Sequence, residues 1–129
     1  MRKTLCSACL VVLVLFLLLT CISCHSDKKN DLNMSKYSLA KYVYNNQEFN
    51  ASEEYNYYYV FFDFESNEIT IVYNKKSDNI EMESNGTFAI TENMYIANIE
   101  NQKYNFIFLD NNYLECNMYF VKCIFKLDK

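Results

Sequence analysis

The chain has 129 residues, with no proline, no tryptophan, one glycine and one histidine. That histidine, His25, stands in a polar stretch where nothing holds it against a nucleophile or a metal. Without a second histidine, Ser/His and Cys/His catalysis have no base. Zinc would depend on cysteine and carboxylate ligands alone, and these occur at no recognisable spacing. A calcium loop wants several oxygen ligands and usually a glycine for its tight turn. Asp63, Glu65 and Glu68 cluster around one turn without a glycine, which reads as a solvated acidic turn. The chain is therefore expected to be no enzyme and to carry neither metal nor cofactor. Only Asp/Glu pairs are left as acid–base candidates.

The dearth of glycine and proline, beside abundant Asn, Lys, Ile, Tyr and Phe, is what an AT-rich genome produces. Asparagine abundance is discounted accordingly. The Asn-x-Ser/Thr sequons at Asn33, Asn50 and Asn85 are no more frequent than chance gives with this much Asn.

What the chain does have is concentrated at its start. Met1-Arg2-Lys3 is a short basic opening, Leu5 to Leu19 is almost wholly apolar, and Thr20-Cys21-Ile22-Ser23-Cys24 precedes a polar stretch. This is the layout of an export signal over residues 1–23. The cysteine at its end resembles a bacterial lipobox, in which a small residue precedes a cysteine that is lipidated and becomes the new N-terminus. Cys24, behind Ile22 and Ser23, fits best, although Cys21 stands where Leu is usual. Cys21 itself, behind Thr20, is the alternative. Stable anchoring takes more than one acyl chain, at ~0.8 kcal/mol per buried methylene, and a diacylglyceryl group supplies two. The expected protein is lipid-anchored at a cell membrane or outer membrane and faces out of the cytosol. Plain secretion and an uncleaved signal anchor are the alternatives.

Loss of Arg2 and Lys3 from 12 basic side chains leaves ten against 16 acidic ones, a formal charge of −6. That speaks against nucleic acid or anionic headgroups as partners, since both ask for a basic surface. Residues 24–36 read as the lipidated cysteine and a flexible polar tether. Residues 37–129 are enough for one modest core.

From Tyr37 onward, β-branched and aromatic runs alternate with Asn/Asp/Glu/Ser clusters. Strands are expected at 41–44, 57–64, 69–73, 80–83, 87–91, 94–99, 103–109 and 113–118, with a last one within 119–127. Asn85-Gly86 reads as a hairpin turn, with Gly86 at positive φ. Ile80 and Met82 are expected to point inward. Loops this short force antiparallel neighbours. A sheet of eight or nine strands curls, and closure removes its edges. The fold class is all-β, an antiparallel up-and-down meander forming a small barrel, with a two-sheet β-sandwich as the alternative.

The segment from Gly86 to Leu127 resembles the second half of a lipocalin-like domain found in small bacterial lipoproteins. Gly86-Thr87, the turn at Glu92-Asn93, the strand Tyr104 to Leu109, the stretch Asp110 to Leu114 and the closing Phe125-Lys126 carry the likeness. Tyr55 to Tyr73 resembles that family's central hairpin, so the likeness spans most of residues 37–129. It implies a small antiparallel barrel on the cell envelope. Lipocalins proper carry Gly-x-Trp on their first strand; this chain has no Trp, and Tyr42 is the nearest aromatic.

Three sets of residues are candidates for a role. Phe62, Phe64, Ile71, Phe88, Ile90, Phe106 and Phe108 would line a calyx for a small hydrophobic ligand, or fill the barrel themselves. Tyr57, Tyr59 and Phe61 lie on the opposite face of the strongest strand and would offer an aromatic patch to a protein partner, unless the N-terminal segment covers it. Cys116 and Cys123 fall opposite one another if the chain turns at Tyr119-Phe120. They would then form either a disulfide or two buried thiols.

Overall fold

The structure, a computed structural model, describes residues 33–129. The expected leader, both lipidation candidates Cys21 and Cys24, His25 and most of the expected tether lie outside the described residues.

Nine strands follow in order: β1 Met34–Tyr44, β2 Gln47–Asn50, β3 Tyr55–Asp63, β4 Glu68–Lys75, β5 Glu81–Ile90, β6 Met94–Ile99, β7 Gln102–Phe108, β8 Tyr113–Met118 and β9 Val121–Leu127. A one-turn helix, α1 Ala51–Glu54, joins β2 to β3. From β3 to β9 each strand pairs antiparallel with the next. β1 pairs with β3 through Met34–Ser38 and with β9 through Tyr37–Val43, which closes an eight-stranded barrel. β2 is the extra strand, laid against Lys41–Tyr44 where β1 has left β3. Closure, rather than two stacked sheets, leaves almost no open edge.

Alternation explains the interior. Val60 and Phe62 of β3, Ile69 and Ile71 of β4, Ala97 and Ile99 of β6, Phe106 of β7, Leu114 and Cys116 of β8 and Phe125 of β9 are buried. Each occupies every second position of its strand, as a barrel wall requires. A large apolar side chain contributes about 1.5–3 kcal/mol when fully buried; Phe62, Phe106 and Phe125 are all at 0% exposure.

The barrel has two distinct ends. One, here the floor, carries the start of β1, the end of β9 and the loops around Ser66, Glu92 and Asn111. The other, the mouth, carries α1, the loop after β4 and three two-residue turns: Asn45-Asn46, Glu100-Asn101 and Tyr119-Phe120. In all three turns both residues have positive φ, the geometry whose twist matches that of a hairpin.

Three expectations are corrected. β1 starts at Met34, so Met34 to Lys36 belong to the barrel and not to the tether. β5 runs unbroken through Asn85-Gly86, and Gly86 has no positive φ. It pairs with Ile69 on one side and Ile99 on the other. Glycine is needed there because a Cβ would stand 2.1 Å from the Asn98 carbonyl oxygen. Ile80 and Met82, expected inside, are exposed beyond the rim of the mouth.

Candidate functional site

The expected calyx is divided by the structure. Phe62 sits at its centre, with ring centroids 5.1 Å from Phe88, 4.5 Å from Tyr95 and 5.3 Å from Phe106. Ile71 is buried beside them. These side chains are one another's partners and fill the barrel. Phe64 and Phe108 are partly buried at the floor, where Phe108 borders a shallow depression of about 390 Å³ with Tyr95 and Asp110. Ile90 is 56% exposed at the end of β5, outside the packed core. Its correction follows from position: two residues past Phe88, the strand has run off the floor.

A cleft of about 430 Å³ opens at the mouth. It lies within the range of small-molecule sites. Tyr42, Tyr55, Tyr58, Tyr73 and Tyr119 give it an aromatic wall, Met118 and Val121 add apolar surface, and Glu54 and Lys75 stand at its edge.

Two β-bulges build this wall. In β1 the register against β9 slips between Leu39 and Lys41. Tyr37 and Leu39 point inward; without the slip at Ala40, Lys41 would follow them, and Tyr42 would face out. In β3 the register against β4 slips between Tyr55 and Tyr57. The extra residue, Asn56, lets Tyr55 share the inner face with Tyr58. Bulges re-aim side chains in this way, commonly at barrel rims. Asn56 is held in place by donating from Nδ2 to the Asn74 side-chain oxygen at 2.6 Å.

The rings brace one another. Tyr55 meets Tyr42, Tyr58 and Tyr73 edge to face, at interplanar angles of 84°, 80° and 88°. Tyr58 and Tyr73 stack at 5.1 Å. The Tyr42 hydroxyl donates to Glu54 Oε2 at 2.5 Å. That bond, with burial, pushes the Tyr42 hydroxyl up to about 12. Burial, followed by the Glu54 charge, raises Tyr55, and burial raises Tyr58 further. The mouth thus holds neutral tyrosines beside a carboxylate.

The turn at the lip of this cleft is unusual. Tyr119 and Phe120 have φ of 48° and 67°, a region that bulky side chains rarely occupy. Tyr119 rests against Tyr104 at 6.1 Å, while Phe120 is 99% exposed.

The outer face of β3 carries the second candidate set. Tyr57 and Tyr59 stack at 5.5 Å, and Phe61 meets Tyr59 at 6.1 Å. The ladder is half-buried. The Lys36 ammonium lies 3.7 Å above the Tyr59 ring, and the Tyr57 hydroxyl donates to Glu81.

Cys116 and Cys123 are register partners across the Tyr119-Phe120 hairpin, as the sequence predicts. Both are buried free thiols. Burial pushes each up to about 12, so they act as small apolar residues under the mouth. Asp63 accepts from the backbone N–H groups of Glu65 and Ser66 and shapes the β3–β4 turn.

The tyrosine mouth is what sequence reasoning missed. The signal was there as broken alternation: apolar positions 37 and 39 followed by 42, and 55 followed by 58, each a step of three in a strand pattern of two. No protein-family model, no curated protein and no solved structure matches the chain.

Proposed function

We propose that this is a non-catalytic, exported binding protein that holds a small ligand against the tyrosines of its mouth. In this reading Cys24 carries the lipid anchor, Cys21 being the alternative, and the barrel is lipocalin-like in use as well as in strand order. One observation carries it: bulges at Ala40 and Asn56 turn Tyr42 and Tyr55 into an open cleft above a packed core. A barrel serving only as a scaffold has no need of two register slips that fill one wall with ring faces. The ligand therefore sits over the Phe62 core and not within it.

The test is native mass spectrometry of the mature protein, purified without detergent after exposure to a whole-cell lipid and metabolite extract. A discrete added mass is expected, and it should be lost in a Tyr55→Ala, Tyr73→Ala variant that still melts cooperatively. A clean apo mass across extracts would overturn the reading.

A second reading rests on the ladder of Tyr57, Tyr59 and Phe61. Three rings in line on the outer face of β3, two stacked and the third at 66° to its neighbour, form an aromatic surface suited to a protein partner. Replacing Tyr57 and Tyr59 by Ser should then abolish partner capture while leaving ligand binding at the mouth intact. Loss of ligand with partner capture unchanged would refute it.

A further inference from the structure

Among the residues lining the mouth, Lys75 is out of keeping with the rings. Alternation in β4 sends Ile69, Ile71 and Tyr73 inward, and Lys75 is the next residue in that series. Its ammonium lies 5.8 Å from the centroid of the Tyr55 ring and 3.5 Å from Glu54 Oε1. The other Glu54 oxygen takes the Tyr42 hydroxyl. A cation is therefore already seated beside a carboxylate and near a ring face, at the edge of the cleft.

Aromatic faces carry partial negative charge, and a cation within about 6 Å of a ring centroid is attracted to it. Three further rings meet Tyr55 at near right angles, so ring faces point in more than one direction around the same space. Among the described residues, Glu54 is the one carboxylate lining the cleft. Lys75 holds its place weakly. Its side chain is 40% exposed, and an exposed ion pair of this kind contributes little. Its primary ammonium is also strongly hydrated. An alkylated ammonium sheds water more readily and presents more surface to rings.

Resting on the mouth as the binding site, we propose that its ligand is an organic cation, a quaternary or methylated ammonium, and that the Lys75 ammonium occupies the cation position until the ligand displaces it. Glu54 supplies the countercharge and Tyr55 a ring face. Lys75 swings to solvent as the ligand enters, and no covalent step is involved.

The probes are choline and 3,3-dimethylbutan-1-ol, which has the same shape without the charge. Binding is read by shifts of the tyrosine ring signals in NMR titrations of the full mature protein. Choline should bind at least about fivefold more tightly than the alcohol. Lys75→Gln should tighten choline by several-fold, since it removes the internal competitor, and Glu54→Gln should weaken it. Glu54→Gln should leave the alcohol almost unmoved, since the alcohol carries no charge for the carboxylate to balance. Both substitutions are at the exposed rim, and circular dichroism confirms the fold. Equal binding of both probes, indifferent to either variant, overturns the proposal and leaves a neutral-ligand mouth standing. Weaker binding in Lys75→Gln with tighter binding in Glu54→Gln overturns it in favour of an anion. No choline binding at millimolar concentration overturns it as well. The separate failure of the mouth as a site is read from the mass spectra, where no extract would leave an added mass.

Discussion

Gly86 faces the carbonyl of Asn98 so closely that the β5–β6 ladder has no room for a methyl group between them. A Cβ at that position would lie 2.1 Å from the oxygen and 2.9 Å from the carbonyl carbon. Both are backbone atoms and cannot swing aside. Gly86→Ala should therefore push two strands apart in mid-barrel and cost about 1–3 kcal/mol. The measurement is the urea midpoint, with Asn85→Ala, next to it and exposed, as the control.

Phe62 and Ile90 make a paired prediction. Both are large and apolar, but only Phe62 is enclosed by other rings. Phe62→Ala should destabilise by about 3–5 kcal/mol. Ile90→Ala should stay within about 0.5 kcal/mol of the parent. Similar losses for the two would mean that Ile90 is packed after all.

The Tyr119-Phe120 turn should be improvable. Its backbone asks for residues that tolerate positive φ, and each bulky residue there costs on the order of 1 kcal/mol. Replacing the pair by Asn-Gly suits the turn. The expected gain is about 1–2 kcal/mol, which for a domain of this size raises the melting temperature by roughly 4–16 °C. The same variant removes Tyr119 from the lip, so ligand affinity should fall while stability rises. A lower melting temperature would show that the Tyr104–Tyr119 contact outweighs the strain.

Stability should fall on the alkaline side. Burial raises Tyr37 from its usual 10.0 to about 12 and both core thiols from 9.0 to about 12. A group whose folded-state pKa is raised holds its proton more tightly in the native barrel. Its contribution is complete below the unfolded value and is lost as pH climbs through the folded one. For the thiols that window is about 9 to 12, and for Tyr37 about 10 to 12. Urea midpoints should fall across this range, and less steeply in Cys116→Val, Cys123→Val. Iodoacetamide at neutral pH should leave both thiols unmodified until denaturant is added.

Much of the wall was legible in the residues. Phe62 and Phe64 read as one face of their strand and Tyr57, Tyr59 and Phe61 as the other, because period-2 alternation is a local property of a strand. Glu100-Asn101 and Asp110-Asn112 read as turns because polar residues interrupt the apolar runs. The Cys116–Cys123 register followed from counting back from Tyr119-Phe120. Where the reading failed, the deciding contact came from another strand. Asn85-Gly86 has the composition of a hairpin turn. What requires its glycine is the approach of Asn98, twelve residues later. The mouth was hidden for a related reason. Ala40 and Asn56 shift the parity of their strands, and a bulge has no composition of its own. Ser35 and Lys36 look like tether because neither is buried; the first buried residues of β1 are Tyr37 and Leu39.

β1 and β9 are neighbours, they run antiparallel, and Met34 and Leu127 both lie at the floor. A force that separates these two ends loads the closing seam as a zipper, one hydrogen bond after another, beginning at Tyr37–Leu127. It cannot shear the ladder as a whole. A pull on Met34 alone puts no such load on β9. The barrel is mechanically weak when Met34 and Leu127 are pulled apart and sound when hung from Met34 alone.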